Sequence, residues 1–290
     1  MDRLITGGIF SLVLALLALP AHAQAGFDGG AIVISSGAAG GGYWNAGQRL
    51  QGVAASMELP VENLESSGSM ENLERLVDPA SPVNLAFAQA DAMRHFFQQR
   101  REDEQLVDVL ENIGQECVFV IAGRDSGIDR DRDLAANGAD ISLGISSPTS
   151  GIAVTFDYMT SLLPDLAGVA IAYGNTSAAM EGLDSDAGAV DAVMVVHRPK
   201  AHSPEVDLAI ANPERFQFVE LSDDRFTREL HNGRAVYRRM RLALPGYREP
   251  VQTICVRGLL LGHKQKLSAH QRNRLTDLVN YHWMRVYATQ

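Results

Sequence analysis

The chain has 290 residues, 46% of them hydrophobic and 21% charged, with a formal net charge of −10. This is a globular composition with apolar residues enough for a sizeable core, at a length that suits two lobes. Arginines without interleaved aromatics, together with the export signal described next, argue against nucleic acid as a partner.

At the N-terminus Arg3 precedes an apolar run, Ile9–Leu19, broken only by Ser11 and followed by Pro20-Ala21-His22-Ala23. A short apolar region and an A-x-A pattern predict a signal peptide cleaved after Ala23, hence an exported, periplasmic protein. The run falls short of the ~20 residues a membrane span takes. No cysteine stands at the cleavage point to carry a lipid anchor, and no later stretch is long and apolar enough to span.

The first strand of the mature chain is Ala31–Ser35, and Ser36–Gly47 (SGAAGGGYWNAG) follows it directly. Glycines let such a turn fold tightly and expose backbone N–H groups, and a helix starting near Tyr43 would aim those donors at a bound anion. No Gly-Lys-Ser/Thr follows and G-x-G-x-x-G is absent, so neither a triphosphate loop nor a dinucleotide fingerprint is present. Further strands are predicted at Leu59–Glu65, Val83–Ala88, Cys117–Ala122, Ile141–Gly144, Val169–Tyr173, Ala189–Val196, Phe216–Leu221 and Val251–Val256.

Between them Met70, Leu73 and Val77 share one helical stripe, and Ile152, Phe156, Met159 and Leu163 share another. The last helix opens on Ser268-Ala269-His270-Gln271, a capping box, with Leu275, Leu278, Val279 and Val286 inward. Alternation of this kind reads as α/β, with open sheets flanked by helices.

Three more turns sit at carboxyl ends of strands, where open α/β sheets bind ligands. They are Ser66–Asn72, with Ser69 as an N-cap; Ala88-Gln89-Ala90-Asp91, an amide beside a carboxylate; and Ser146–Gly151, hydroxyls at a helix start. The two cysteines, Cys117 and Cys255, both lie in apolar strand-like runs. Export permits a disulfide between them, and burial as two free thiols fits the same pattern.

From Arg225 to Gln290 there are 13 Arg or Lys against three acids. That excess is either a face that guides an anion or docks a membrane partner, or a set of solvated helix faces. No nucleophile elbow or H-E-x-x-H occurs, and the histidine spacings do not suit one helix face, so neither catalysis nor a metal is expected.

Four segments together resemble the TAXI-type substrate receptors of TRAP transporters. They are SGAAGGGYW (Ser36–Trp44), SSGSMENLERL (Ser66–Leu76), NLAFAQAD (Asn84–Asp91), and DSGI (Asp125–Ile128) with SPTSG (Ser147–Gly151). The resemblance covers about residues 31–200 and implies a two-lobe type II periplasmic-binding-protein fold with the ligand between the lobes. Residues 1–23 would be the signal peptide, 24–122 and 223–290 lobe 1, and 123–222 lobe 2.

Carried over by match, Gly41, Gly42, Tyr43, Ser67, Ser69, Asn72 and Gln89 would contact ligand from lobe 1. Thr149, Ser150 and Gly151 would do so from lobe 2, with Tyr43 and Trp44 on the ligand's apolar part. The implied ligand is a small organic acid or amino acid, without a cofactor. The implied partner is a membrane permease subunit, or a sensor kinase in the alternative reading. Ala38, Ala39, Thr149 and Ile152 depart from the family pattern at the glycine tract and the turn, which implies a ligand bulkier, less charged or differently held.

Overall fold

The structure is a computed structural model and describes residues 30–183, 190–199, 201–229 and 234–287. The predicted leader and its cleavage point lie outside them. The first elements are β1 (Ile32–Ser35), α1 (Gly42–Ala55), β2 (Val61–Leu64), α2 (Ser69–Val77), β3 (Leu85–Gln89), α3 (Ala90–Gln99) and a short α4 (Arg101–Glu104). The long strand β4 (Val107–Gly123) leads to α5 (Asp131–Ala136), β5 (Ser142–Ile145), α6 (Gly151–Leu162), β6 (Ala170–Tyr173), α7 (Thr176–Met180) and β7 (Ala192–His197). The chain closes with α8 (Pro204–Ala211), β8 (Phe216–Phe218), β9 (Tyr237–Leu242), β10 (Val251–His263) and α9 (Ala269–Tyr287).

The strands join in the order β2-β1-β3-β10-β4-β7-β5-β6, with β8 beside β4 and β9 beside β10. Two half-sheets are visible in that order. In the first, β1 runs parallel to β2 and β3, and β10 runs antiparallel to β3. In the second, β5 runs parallel to β6 and β7, and β7 runs antiparallel to β4. Strands β4 and β10 connect the halves: β10 pairs antiparallel with β4 from Cys255↔Cys117 to His263↔Val107. The register shifts between Arg257 and Leu259 and again between Leu260 and Leu261. Such irregularities bend a strand and increase its twist, as a chain passing between lobes requires.

Cys117 and Cys255, opposite each other on these strands, form a disulfide with their Cα atoms 3.9 Å apart. The pairing left open by the sequence is therefore made, inside a cluster that also holds Phe119, Val193, Phe216, Leu242, Leu244 and Val251. That cluster lies against the second half-sheet, so β9 and the start of β10 pack there. A second cluster, with Ile32, Leu50, Phe87, Leu275 and Leu278, fills the space between the first half-sheet, α1 and α9. The largest cluster is continuous across both halves, from Leu73, Phe96 and Phe97 to Ala153, Phe156, Tyr158 and Met159.

Sequence and structure differ most on the longest strands. Strand β4 begins at Val107 rather than Cys117, and β10 continues past Val256 to His263. Asp108, Glu111, Asn112 and Glu116 obscure the alternation in β4, and pairing with β10 overrides their weak strand preference. Strand β9 (YRRMRL) has no counterpart among the expected strands; among the described residues it pairs with β10 alone. Its exposed Arg238, Arg239 and Arg241 suit a sheet edge.

The capping box holds as expected. Ser268 N donates to Gln271 Oε1 (2.9 Å) and Gln271 N donates to Ser268 Oγ (3.1 Å). Three helix C-termini of the first lobe each receive a cation from elsewhere. Arg274 reaches Met57 O beyond α1, Arg49 Nε reaches Val286 O in α9 at 2.7 Å, and Lys266 Nζ reaches the end of α2. Lys266 Nζ lies within 3.5 Å of five carbonyl oxygens, those of Arg75, Leu76, Asp78, Ser81 and Val83. No helix among the described residues is long and apolar enough to cross a membrane.

The disulfide closes a sequence separation of 138 residues. Replacing both cysteines by serine is expected to cost about 2–5 kcal/mol, read as a lower denaturation midpoint. An unchanged midpoint would show that pairing of the connecting strands does not depend on the bridge.

Candidate functional site

The turns singled out in the sequence meet between the lobes. Gly68 has φ = 133°, a conformation that favours glycine, and a β-carbon there would lie 3.5 Å from Gly151 N and 3.9 Å from Thr149 O. A β-carbon on Gly151 would collide with Gln89 Oε1 and lie 3.7 Å from Ser69 Oγ. Gln89 is opposite Gly258 in the β3–β10 ladder. A β-carbon on Gly258 would come within 3.2 Å of Tyr43 Oη. Gly68, Ser69, Gln89, Tyr43, Thr149 and Gly151 thus converge from both sides of the connecting strands.

The individual side chains have more varied roles. Ser69 is the first residue of α2 rather than its N-cap, which is Gly68, and its hydroxyl accepts from Gln89 N at 3.2 Å. Asn72, expected as a ligand contact, is fully buried. Its Nδ2 donates to Ser36 O (2.7 Å) and Phe87 O (2.8 Å), and its Oδ1 accepts from Ser35 Oγ and Ser66 Oγ, both at 2.6 Å. With all four positions taken inside the protein, Asn72 ties β1, β3 and the serine turn together. Ser67 faces outward, where its N–H and hydroxyl both donate to Glu71 Oε2 at 2.7 Å. The Ser67 backbone N–H, more than any other contact, holds the Glu71 carboxyl below its ordinary range.

The glycine tract is partly self-satisfied. Gly41 N donates to Ala38 O at 2.9 Å, and Ala39 N donates to Glu65 Oε1 at 3.1 Å. The Glu65 carboxylate thus takes one of the donors expected for an anion. Gly41 and Gly42 are exposed, and Gly42 opens α1. Trp44 is half-buried, and its carbonyl accepts from Asn63 Nδ2 at 3.3 Å. On the other lobe Ser150 is the N-cap of α6: its hydroxyl accepts from Ala153 N (3.2 Å) and donates to Ser147 O (2.7 Å). Thr149 is exposed on the turn before it.

Two carboxylates near the lobe junction complete the site. Tyr43 stacks at 5.5 Å on Phe87, and its hydroxyl donates to Glu116 Oε2 at 3.3 Å. Burial pushes the Glu116 carboxyl up to about 7; Arg198 and the Tyr43 hydroxyl pull the other way, and the nearby Asp91 carboxyl adds to the rise. Asp91, wholly buried, accepts from Thr155 Oγ1 (2.7 Å) and Tyr237 Oη (2.9 Å) on Oδ2, and from Ala92 N (2.8 Å) on Oδ1. Burial raises its carboxyl too, against the lowering effect of those bonds.

Glu116 was missed in the sequence, although it is a lone acid leading into the apolar run CVFVIAG. Nothing in the sequence singled out Thr155 or Tyr237. Among the described residues no group of three His, Cys, Asp or Glu side chains is placed to hold a metal.

No protein-family model matches the sequence, and no curated protein matches it. Among solved structures the chain is similar to a binding-protein component of an ABC phosphonate transporter from Pseudomonas aeruginosa. They share 14% identity over 90% of this chain and 79% of that one, with a TM-score of 0.51. It is also similar to XAC2383 from Xanthomonas citri, solved bound to ATP and bound to chloride ion. There the identity is 12%, over 89% of this chain and 88% of that one, with a TM-score of 0.50. At such identities the likeness shows the fold, which is the two-lobe α/β fold of periplasmic binding proteins.

Asn72→Ala is expected to lower the stability of the ligand-free protein by roughly 2–4 kcal/mol, because buried partners lose their bonds. A denaturation midpoint within error of the parent would return Asn72 to the ligand-contact role. Glu116 has a raised native pKa, so the stability it confers is complete below about pH 4.5 and is lost as pH rises through about 7. Urea midpoints across that interval should fall less steeply in Glu116→Gln than in the parent. Parallel slopes would mean that Glu116 titrates as it does in the unfolded chain.

Proposed function

We propose that this chain is an extracytoplasmic solute-binding receptor of the TAXI type. It takes a small organic acid or amino acid between its lobes and delivers it to a TRAP-type ion-driven permease. The observation that carries the reading is the convergence of Gly68, Ser69 and Gln89 with Thr149 and Gly151, from three separate segments of the sequence likeness, at one junction. The similar transporter component from Pseudomonas aeruginosa supports a transport role for this fold.

In this reading the main chain at Gly42 and Gly151 offers donors to the solute's anionic group, at the starts of α1 and α6, while Gly41 shapes the turn through its own bond to Ala38 O. Ser69, Gln89 and Thr149 surround its polar atoms, and Tyr43 and Trp44 cover its apolar part. Asn72, Ser150 and Glu116 hold the surrounding turns in place, while Ser67 is engaged with Glu71 on the outside. The sequence implied lobe boundaries at 122/123 and 222/223. We place them instead at the middle of β4 and at the register shift near Arg257, because Leu242, Leu244, Val251 and Cys255 pack with Val193 and Phe216 of the second half-sheet. The charged end of the solute is expected to differ from that of typical family members, because Ile152 supplies no hydroxyl beside Ser150 and Gly151.

The test is a thermal-shift panel of amino acids, 2-oxo acids, dicarboxylates and sugars on protein freed of solute by unfolding and refolding. A solute at a hundredfold excess over its dissociation constant should add about 2.7 kcal/mol, a rise of roughly 5–10 °C. Gly151→Ala, whose methyl displaces Gln89, should abolish that rise. No shift with any member of the panel, or an undiminished shift in Gly151→Ala, would overturn the site.

A further inference from the structure

One fully buried polar contact between the half-sheets belongs to none of the proposed solute contacts. Asp91 comes from α3, beside β3 in the first half-sheet, and Thr155 comes from α6, beside β5 in the second. Tyr237 opens β9, which pairs with the first half of β10. Their fractional exposures are 0%, 0% and 1%. Thr155 Oγ1 and Tyr237 Oη both meet Asp91 Oδ2, and Tyr237 Oη lies 3.2 Å from Thr155 O. Aromatic and apolar side chains close around them. The Tyr158 ring centroid is 5.8 Å from that of Tyr237, and both belong to the buried cluster that continues from Phe96 and Phe97 to Phe156 and Met159.

A hydrogen bond between α3 and α6 exists only while the two lobes are together. Separating them would break the Asp91–Thr155 contact and bring water to a carboxylate and two hydroxyls that now satisfy one another. A buried network with its members satisfied fixes one arrangement more strongly than its separate pairs suggest. The node also lies outside the Gly68–Gly151 contact, so its bonds do not require a solute to be present.

We infer that Asp91, Thr155 and Tyr237 form an interlobe latch, which holds the lobes shut without a bound solute and must release before one enters or leaves. The inference deepens the receptor reading and rests on its assumption that the lobes part to admit a solute. It assigns to the Gln-x-Asp segment a division of labour: Gln89 faces the solute junction, and Asp91, two residues on, faces the latch.

The test uses the full mature chain without solute. X-ray scattering should give the radius of gyration of a compact chain of this length, about 18 Å, with a profile matching the closed structure. The Ala92 amide, which donates to Asp91 Oδ1, sits in the first turn of α3 and has no partner within its helix, so its hydrogen exchange reports opening. Thr155→Val and Tyr237→Phe each delete one hydroxyl at nearly constant volume. Each should speed Ala92 exchange about tenfold or more, the equivalent of one such bond, and increase the radius of gyration.

Thr155→Ser restores the hydroxyl and should return both readouts toward the parent, which separates the latch from a general packing defect. An open scattering profile for the parent would overturn the inference. So would parent-like exchange in folded Thr155→Val and Tyr237→Phe. Either result, alongside a solute-induced thermal shift, would leave the receptor reading intact; loss of that shift with latch behaviour preserved would overturn the receptor reading alone.

Discussion

Everything in this molecule hangs on the antiparallel ladder between β4 and β10. The two strands are the path by which the chain passes between the half-sheets, and they pair along much of their length. Each half-sheet takes its order from them: β3 adds to β10 on one side, and β7 adds to β4 on the other. The disulfide fixes the opposing residues Cys117 and Cys255 in register at one point on this path, and the shifts near Arg257 and Leu260 bend it further on. A helix such as α6 can therefore meet α3 only because two strands of the opposite direction deliver their lobes side by side.

From that constraint follows the placement of polar groups. Along β4 the side chains of Cys117, Phe119 and Ile121 enter one cluster, and those of Val118, Val120 and Ala122 enter another. Glu116 continues the second set, so the pleat turns its carboxylate to the face on which Tyr43 and Asp91 lie. The protein tolerates two acids there by hydrogen bonding to Tyr43, Thr155, Tyr237 and the Ala92 amide, and through the Arg198 charge near Glu116. Solute recognition in the proposed receptor would thus rest largely on main-chain N–H groups and amide or hydroxyl side chains, with charge held back at the junction.

The sequence made much of this legible. Nine apolar runs each fall on a strand, seven of them with bounds close to those observed and two, in β4 and β10, on only part of a longer strand. The helical stripes at Leu73 and Phe156 proved buried. Gly68, Ser69, Gln89, Thr149 and Gly151, from three of the four segments quoted for the resemblance, lie against one another, whereas Asp125–Ile128 is not among them. Roles within those segments were harder to read. Asn72 and Ser150 look alike on paper, polar residues near helix starts, yet both serve the protein's own hydrogen bonding. Which of two such residues faces a cavity depends on whether neighbouring strands offer it partners, and that is decided by pairing over long sequence distances. Tyr237 illustrates the same limit: an aromatic leading an arginine-rich edge strand acquires its partner 146 residues away.

The basic C-terminal stretch, whose purpose the sequence left open, has a use that its charge alone did not suggest. Lys266, Arg272 and Arg274 each donate to main-chain carbonyl oxygens, and Lys264 does so while also lying 3.4 Å from the Asp108 carboxylate. Contacts of an ion with a neutral dipole are short in range and are weakened little by dissolved salt, unlike pairs of opposite charges on a surface. Because a carbonyl does not cancel the positive charge it binds, this stretch keeps its excess while fastening the first lobe. The fastenings of that lobe should accordingly hold over a wide span of ionic strength.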